Sequence, residues 1–155
     1  MENTCMEHDA KLQLFEACKA ILQTRVSNAE EAMKAAQEAA NGEEKSSAGD
    51  KYETSRAMGH RDRDMYARQL VEAGNELNRI ARINLDSSRI VKTGSLVCTK
   101  SAVYFILTGI GKLIHENKDV MVLSPLSPLA RLIIGKKVGD TFVFNQVNHE
   151  ILNIV

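Results

Sequence analysis

The sequence contains no tryptophan, and aromatic residues make up only 5% of its 155 positions. A chain of this length forms one ordinary domain or two small ones. Large rings contribute much of the buried area of a globular core. Their scarcity therefore favours an elongated part joined to a small domain over one thick core along the whole chain.

A net charge is also absent, since 20 basic residues balance 20 acidic ones. Nonspecific nucleic-acid binding depends on neutralising phosphates with an excess of positive charge, so we expect no direct DNA binding. The balance conceals an asymmetry along the chain. Residues 1–85 contain 12 Lys/Arg and 15 Asp/Glu, a net of −3, whereas residues 86–155 contain 8 and 5, a net of +3.

Motifs for metal binding, export and membrane insertion are missing as well. Cys5, Cys18 and Cys98 form no CxxC pair and the histidines do not cluster with them, so we expect no zinc site. We interpret Cys18 and Cys98 as small buried side chains in a reducing cytosol. The acidic N-terminus has no apolar signal segment, and no run approaches the ~18 apolar residues of a membrane span. We expect a cytoplasmic protein with no cofactor of its own and no membrane contact.

No proline or glycine occurs from Ala10 to Ala40, and apolar residues recur there every three or four positions. The first series is Phe15, Cys18, Leu22, Val26, Ala29, Met33, Ala36 and Ala40, and a second series is Tyr66, Leu70, Ala73, Leu77 and Ile80. Such narrow seams predict an antiparallel α-helical coiled-coil hairpin over residues 1–85. Alanines toward the turn predict a thin distal end, and Asn41-Gly42 is the predicted end of the first helix.

Residues 86–155 have a different pattern, typical of a small α+β domain. Strands are predicted at Ser95–Thr99, Val103–Thr108, Val120–Leu123, Thr141–Phe144 and Glu150–Ile154. Ser127 as N-cap and Pro128 at the first helical position predict one short helix, which Gly135 ends. The fold class is therefore α+β, with a helical hairpin followed by a small antiparallel sheet and one short helix.

The segment SPLARLIIGKKVGD, residues 127–140, resembles the C-terminal motif of the bacterial Gre transcript-cleavage factors. That family has Ser-Pro-Ile/Leu-Ala/Gly, then Leu-Ile/Leu-Gly-Lys, then a Gly-Asp turn. The resemblance implies an FKBP-like C-terminal domain that docks on the rim of the RNA polymerase secondary channel. It also implies a coiled coil that enters the channel. Ser127, Pro128 and Leu129, here called the docking turn, are the implied contacts, although Leu129 is equally interpretable as a core residue.

In the Gre family, carboxylates at the hairpin tip help to hold the second Mg²⁺ of the polymerase, which then hydrolyses backtracked RNA. A two-metal site stabilises both the attacking and the leaving oxygen, and Mg²⁺ accepts one or two added carboxylates. The resemblance implies this role for Glu43, Glu44 and Asp50, the tip acids, acting in trans. Glu43 and Glu44 are the implied Mg²⁺ ligands, only within the polymerase complex. The chain is then no enzyme, but at most stimulates the polymerase's own cleavage activity.

The turn departs from the family pattern Gly-Asp-x-x-Glu-Asn-Ala-Glu-Tyr in its length. Gly42 to Tyr52 spans ten positions, where the family uses eight. Counted from Gly42, the two acidic positions hold Glu43 and Ser46, and no register places acids at both. A relative with an altered tip can instead inhibit transcription from the channel. Cleavage stimulation and channel-binding inhibition are therefore alternative functions.

Two further classes of function are compatible with parts of the sequence. A coiled-coil interaction module would favour a continuous seam, whereas Asn41 to Gly49 is polar and interrupted, which favours an intrachain hairpin and a monomer. A prolyl isomerase requires an aromatic-lined pocket, for which the domain offers few rings: Tyr104, Phe105, Phe142 and Phe144.

The second helix carries four arginines close to acidic residues. They are Arg56, Arg61, Arg63 and Arg68, interleaved with Asp62 and Asp64. Such a pattern is typical of a solvated helix face. Contact with backtracked RNA in the channel is the alternative interpretation.

Overall fold

The computed structural model describes residues 6–43 and 49–155. Two long helices come first, α1 (His8–Glu43) and α2 (Gly49–Ala81). The remaining elements are β1 (Leu96–Thr99), β2 (Val103–Ile106), β3 (Gly111–His115), β4 (Lys118–Leu123), α3 (Pro128–Ile133), β5 (Thr141–Phe144) and β6 (Val147–Ile154). The predicted class is confirmed: a helical hairpin precedes a small sheet domain with one short helix.

The chain forms two compact units. One is Lys19–Arg79, and the other joins the described part of Met1–Cys18 to Ile80–Val155. The first turns of α1 therefore group with the sheet, although the same helix continues into the other unit. The domain boundary that the sequence suggests, between residues 85 and 86, stays a prediction.

The unit Lys19–Arg79 is an antiparallel pair of helices. Gly59 lies against Ala40, and the Arg63 guanidinium donates a hydrogen bond of 3.1 Å to the Gln37 side chain. The residue number rises along one helix as it falls along the other, which fixes the antiparallel direction. At about 1.5 Å per residue, helices of 36 and 33 residues are about 54 and 50 Å long.

Burial along α1 confirms the predicted seam. Leu22, Ala29, Ala36 and Ala40 are buried, at intervals of whole helical turns. The buried side chains change from leucine to alanine toward the end of the helix. α1 continues through Asn41-Gly42 to Glu43, so its predicted end was wrong by one or two residues.

The sheet has the strand order β3-β4-β2-β1-β6-β5. Most neighbours are antiparallel, but β2 and β4 pair in parallel, with Val103 opposite Val120. The sheet is therefore mixed, and the prediction of an antiparallel sheet is corrected at this pair. The reason is β3, which the sequence analysis missed. It forms a hairpin with β4 and so returns β4 to β2 in the same direction.

One hydrophobic core lies between α3 and the sheet. Its buried members are Val91, Val97, Tyr104, Ile106, Leu129, Ala130, Ile133, Phe142 and Ile151. The rings of Tyr104 and Phe142 meet edge to face, with centroids 6.4 Å apart. This core holds α3 in place, and with it the docking turn.

The cysteines differ from expectation at one position. Cys18 is free and buried, as predicted, and burial raises the pKa of its thiol to about 11. Cys98 is also buried, but it is disulfide-bonded rather than a free thiol. The wide spacing of the three cysteines along the sequence gave no sign of this pairing.

Candidate functional site

The described residues include part of the predicted acidic tip. Glu43 is the last residue of α1, and Asp50 is the second residue of α2, so the hairpin brings both backbones to the same end. Glu44 lies outside the described residues. The side chains of Glu43 and Asp50 are not among the described ones, so their role as metal ligands stays a prediction.

The two helices approach closely near the tip. A Cβ atom added to Gly59 would lie 3.0 Å from the Cβ and 3.2 Å from the Cα of Ala40. These separations are shorter than ordinary van der Waals contact, so glycine is needed for the backbones to be this near. Ala40 supplies the smallest side chain on the other helix. Both residues narrow the hairpin near Glu43, the end of α1, as the alanine-rich seam predicts.

A chain of polar side chains connects the two helices next to this contact. Arg63 donates to the side chains of Gln37, at 3.1 Å, and Asp64, at 3.0 Å. The Gln37 amide in turn donates to Asn41 Oδ1 at 2.9 Å. An exposed ion pair contributes little by itself, but here it orients a guanidinium that bridges both helices. The sequence analysis missed Gln37 because its partner is 26 residues away.

The candidate RNA-contacting arginines are in different environments. Arg63 is half-buried and engaged between the helices, whereas Arg61 and Arg68 are exposed. The side chain of Arg56 lies outside the described set. The interpretation of a solvated face therefore fits Arg61 and Arg68 better than Arg63, and contact of any of the four with RNA stays a prediction.

The three residues of the docking turn differ in burial: Ser127 is half-buried, Pro128 is exposed and Leu129 is buried. Ser127 caps α3, its hydroxyl accepting from the Ala130 N–H at 3.2 Å, and Pro128 follows it at the first helical position, exposed to solvent. Leu129 is only 8% exposed and belongs to the core. The apolar side chain presented beside Pro128 is instead Leu126, which is 73% exposed. The sequence analysis missed Leu126 because residue order does not reveal which leucine faces the core.

Lys11 is a buried ionisable residue that the sequence analysis did not single out. Its ammonium donates a hydrogen bond of 3.0 Å to the Val155 carbonyl, and the residue is fully buried. The pKa of Lys11 is lowered to about 8, mainly by burial and also by the charge of nearby Lys92, while Asp86 opposes the shift. The contact ties the first turn of α1 to the segment after β6.

The aromatic residues considered for a prolyl-isomerase pocket are mainly core residues. Tyr104 and Phe105 are 6% and 0% exposed, and burial raises the pKa of the Tyr104 hydroxyl. Phe142 is buried as well and stacks on the His149 ring at a centroid distance of 5.1 Å. These rings stabilise the fold and leave little aromatic surface to receive a prolyl peptide.

Metal sites and membrane-spanning helices are the two other kinds of feature relevant to function. Within 6–43 and 49–155, no group of three or more His, Cys, Asp or Glu side chains is placed to hold a metal ion. No helix in that part of the chain is both long and apolar enough to cross a membrane.

Comparison with protein-family models gives no match, and comparison with curated proteins gives none either. Among solved structures, the chain is similar to the GreA factor homolog 1 (Gfh1) protein of Thermus thermophilus. The TM-score is 0.39 and the identity 14%, over 88% of this chain and 94% of that one. A further structure of the transcription factor Gfh1 gives a TM-score of 0.38 at 14% identity, over 88% and 92% of the two chains.

Proposed function

We propose that this chain is a Gre-like factor that binds RNA polymerase, with the helical hairpin entering the secondary channel. The observation that carries the proposal is the antiparallel hairpin that narrows at Gly59 and Ala40, near Glu43 at the end of α1. Such a hairpin suits a confined channel because its backbones approach closely near the end that would enter the channel. Because RNA polymerase is the proposed partner, we propose a cytoplasmic location. We also propose that the protein acts as a monomer.

The C-terminal motif supports the same proposal. Ser127 and Pro128 begin α3 as the motif requires, and Gly135 follows the helix with a φ of +90°. In the proposed complex, the exposed Pro128 and Leu126 contact the polymerase rim. A rigid proline-containing turn loses little conformational freedom on binding. Leu129 supports this surface from the core.

At the polymerase active site, the tip acids are proposed to supply carboxylate oxygens to the Mg²⁺ that the polymerase holds. Glu43 and Glu44 are the proposed ligands, and Asp50 is proposed to act beside them. The chain contributes charge and position, and the chemical step belongs to the polymerase. Mutation of residues that only support metal ligands typically lowers metal affinity or activity by ~10- to 100-fold, so we expect a loss of at least this size when proposed ligands are removed.

Inhibition of transcription is the second candidate, and the longer turn favours it. Ten positions from Gly42 to Tyr52 leave no register with acids at both family positions. A hairpin that occupies the channel without completing a metal site would hinder nucleotide entry and give no cleavage.

Transcript cleavage in backtracked elongation complexes of the cognate polymerase tests both candidates. The wild-type protein is compared with Glu43→Ala/Glu44→Ala/Asp50→Ala, and the matched control is Glu30→Ala/Glu31→Ala, at exposed positions of α1 outside the turn. If the tip acids act as proposed, cleavage falls by at least ~10- to 100-fold in the triple variant only, while polymerase binding persists.

The other results separate the alternatives. Binding with slower RNA synthesis and no cleavage by any variant would establish the inhibitor. An absence of binding to the polymerase would overturn both candidates and leave the coiled-coil interaction module as the remaining explanation of the hairpin.

A further inference from the structure

The strand β5 lies at an edge of the sheet and pairs on one side only, with β6. A two-residue turn joins them, Asn145 and Gln146, both with positive φ, and Phe144 faces Val147 across it. The pair that closes such a turn exchanges both of its hydrogen bonds. Because bonded and non-bonded pairs alternate, the N–H and C=O groups of Thr141 and Val143 point away from β6.

The spacing of hydrogen bonds along the strand supports this assignment. The Ile151 N–H donates to the Asp140 carbonyl at 2.9 Å, so Asp140 forms the next bonded position, and Thr141 and Val143 lie between such positions. Over the part of the chain that the structure describes, no backbone group is hydrogen-bonded to the outward side of these two residues. The edge is therefore free to pair with another extended strand.

A shallow groove of about 710 Å³, largely open to solvent, lies at this edge, between β5 and the C-terminal part of α3. Its apolar surface includes Leu132 and Ile134, in and just after α3, and Val143 on β5. These side chains are 41%, 38% and 61% exposed. We call this space the β5 groove. An extended chain lying in it would cover all three side chains while it paired with the strand.

The charges around the β5 groove are positive. Arg131 and Lys136 line it, no acidic residue does, and neither cation has an ion-pair partner within the described residues. The carboxylate of Asp140, on the adjoining loop, accepts a 2.8 Å hydrogen bond from the Lys137 N–H. Glu150 lies opposite Thr141, on β6. The groove thus offers two cations to carboxylates from outside.

We propose that the β5 groove binds an extended acidic segment of a partner protein, which adds to the sheet as a strand beside β5. Backbone hydrogen bonds to Thr141 and Val143 supply affinity, and alternate side chains supply specificity. Apolar side chains of the segment pack on Leu132, Ile134 and Val143, and its carboxylates lie near Arg131 and Lys136. The inference does not rest on the proposed polymerase function.

Charge also distinguishes this occupant from a second copy of the chain. Two copies pairing through β5 would align TFVF with itself, a segment that contains no acid. Self-pairing would then bring the cations of both copies to the same edge without complementary charge, which is unfavourable. An acidic strand supplies both the hydrogen bonds and the missing charges.

Fluorescence anisotropy with a labelled probe tests the inference on the full chain. The probe is a short peptide that alternates valine and glutamate, and the comparison peptide has lysine in place of every glutamate. We expect the glutamate peptide to bind and the lysine peptide to bind at least ~10-fold more weakly, because only the former complements Arg131 and Lys136. A third peptide, N-methylated at alternate residues, loses the backbone donors and should also bind at least ~10-fold more weakly.

Variants of the chain locate the site. Arg131→Glu/Lys136→Glu should weaken binding of the glutamate peptide by at least ~10-fold, whereas Arg25→Glu/Lys34→Glu, the same change at exposed positions of α1, should not. Val143→Pro should also weaken it, because proline removes the outward N–H with which the added strand would bond, and an edge strand tolerates proline. Thermal unfolding of each variant verifies that it is folded. Amide chemical shifts should change at Thr141 and Val143 when the peptide binds.

Four results would overturn the inference. One is no binding of the glutamate peptide by the wild-type chain. A second is equal binding of the two charged peptides, and a third is amide shifts confined to residues outside β5 and α3. The last is a concentration-dependent dimer that Val143→Pro abolishes, since the edge would then pair with a second copy.

Discussion

At the scale of single residues, Lys11 has an ionisation that is strongly altered by its surroundings. The folded chain holds the pKa of Lys11 near 8, below its ordinary value of 10.5, mainly because the ammonium is buried. Between these values the unfolded chain binds a proton that the folded chain has released. The free energy of unfolding must therefore rise with pH from about 8 toward 10.5.

Urea unfolding between pH 7.5 and pH 9.5 measures this dependence. Lys11→Met retains an unbranched side chain similar to the aliphatic part of lysine and removes the titrating ammonium. The rise in the free energy of unfolding over this window should therefore be smaller than in the wild type. Lys34→Met, at an exposed position of the same helix, is the control. Equal pH dependence in the Lys11 variant and the wild type would contradict the assignment.

Gly94 is a second residue whose identity the fold requires. Its φ is +95°, and an added Cβ would lie 2.6 Å from the Asn84 carbonyl oxygen. We expect Gly94→Ala to lower the free energy of unfolding by at least ~2 kcal/mol, from backbone strain together with a steric clash. Gly111→Ala separates the two causes, because Gly111 has a φ of +98° with nothing within 4 Å. That variant should lose only the ~1 kcal/mol typical of a left-handed alanine. Chemical denaturation measures the stability loss of each variant. Similar losses in the two variants would argue against the steric clash at Gly94.

At the scale of elements, the two glycines of α2 predict opposite responses to a larger side chain. Gly74 has open space around it, so Gly74→Ala should stabilise the chain by ~0.5–1 kcal/mol through helix propensity. Gly59 meets Ala40, so Gly59→Leu should force the helices apart and lower the thermal midpoint. Thermal unfolding followed by circular dichroism measures both. A stabilised Gly59→Leu variant would show that the close approach is not required.

The elements differ in how far their sequences predict them. α3 was predictable because its serine cap, its proline and the following glycine act locally. β3 was not, because its five residues form a strand only by pairing with β4. The turn between them places Glu116 and Asn117 at φ values of 48° and 63°. Neither is a glycine, so the sequence carried no strong signal of a tight hairpin.

The candidate site also contains features that the sequence predicts and features that it does not. The antiparallel seam and the position of the tip acids at one end of it follow from periodicity and from the polar turn. The orientation of Leu129 toward the core and of Leu126 toward solvent does not, since it depends on how α3 packs on the sheet. The link from Arg63 to Gln37 likewise depends on the relative register of the two helices.

For the whole molecule, the proposed function requires a hairpin formed within one chain. Sedimentation equilibrium should give a mass near 17.2 kDa at every concentration tested. A mass that doubles as concentration rises would favour a dimerising coiled coil over a channel-binding monomer. Repeating the measurement with Gly59→Leu reveals whether opening the hairpin permits pairing between chains.

The hydrogen bond from Lys11 to Val155 joins residues 144 positions apart. The unit that contains it is therefore assembled from two distant stretches of chain, with the Lys19–Arg79 hairpin inserted between them. Contacts within the hairpin are local by comparison, and closing a long loop is slow. During synthesis, the hairpin is thus expected to form while the first turn of α1 still lacks its partner. The sheet unit can be completed only after β6 has left the ribosome.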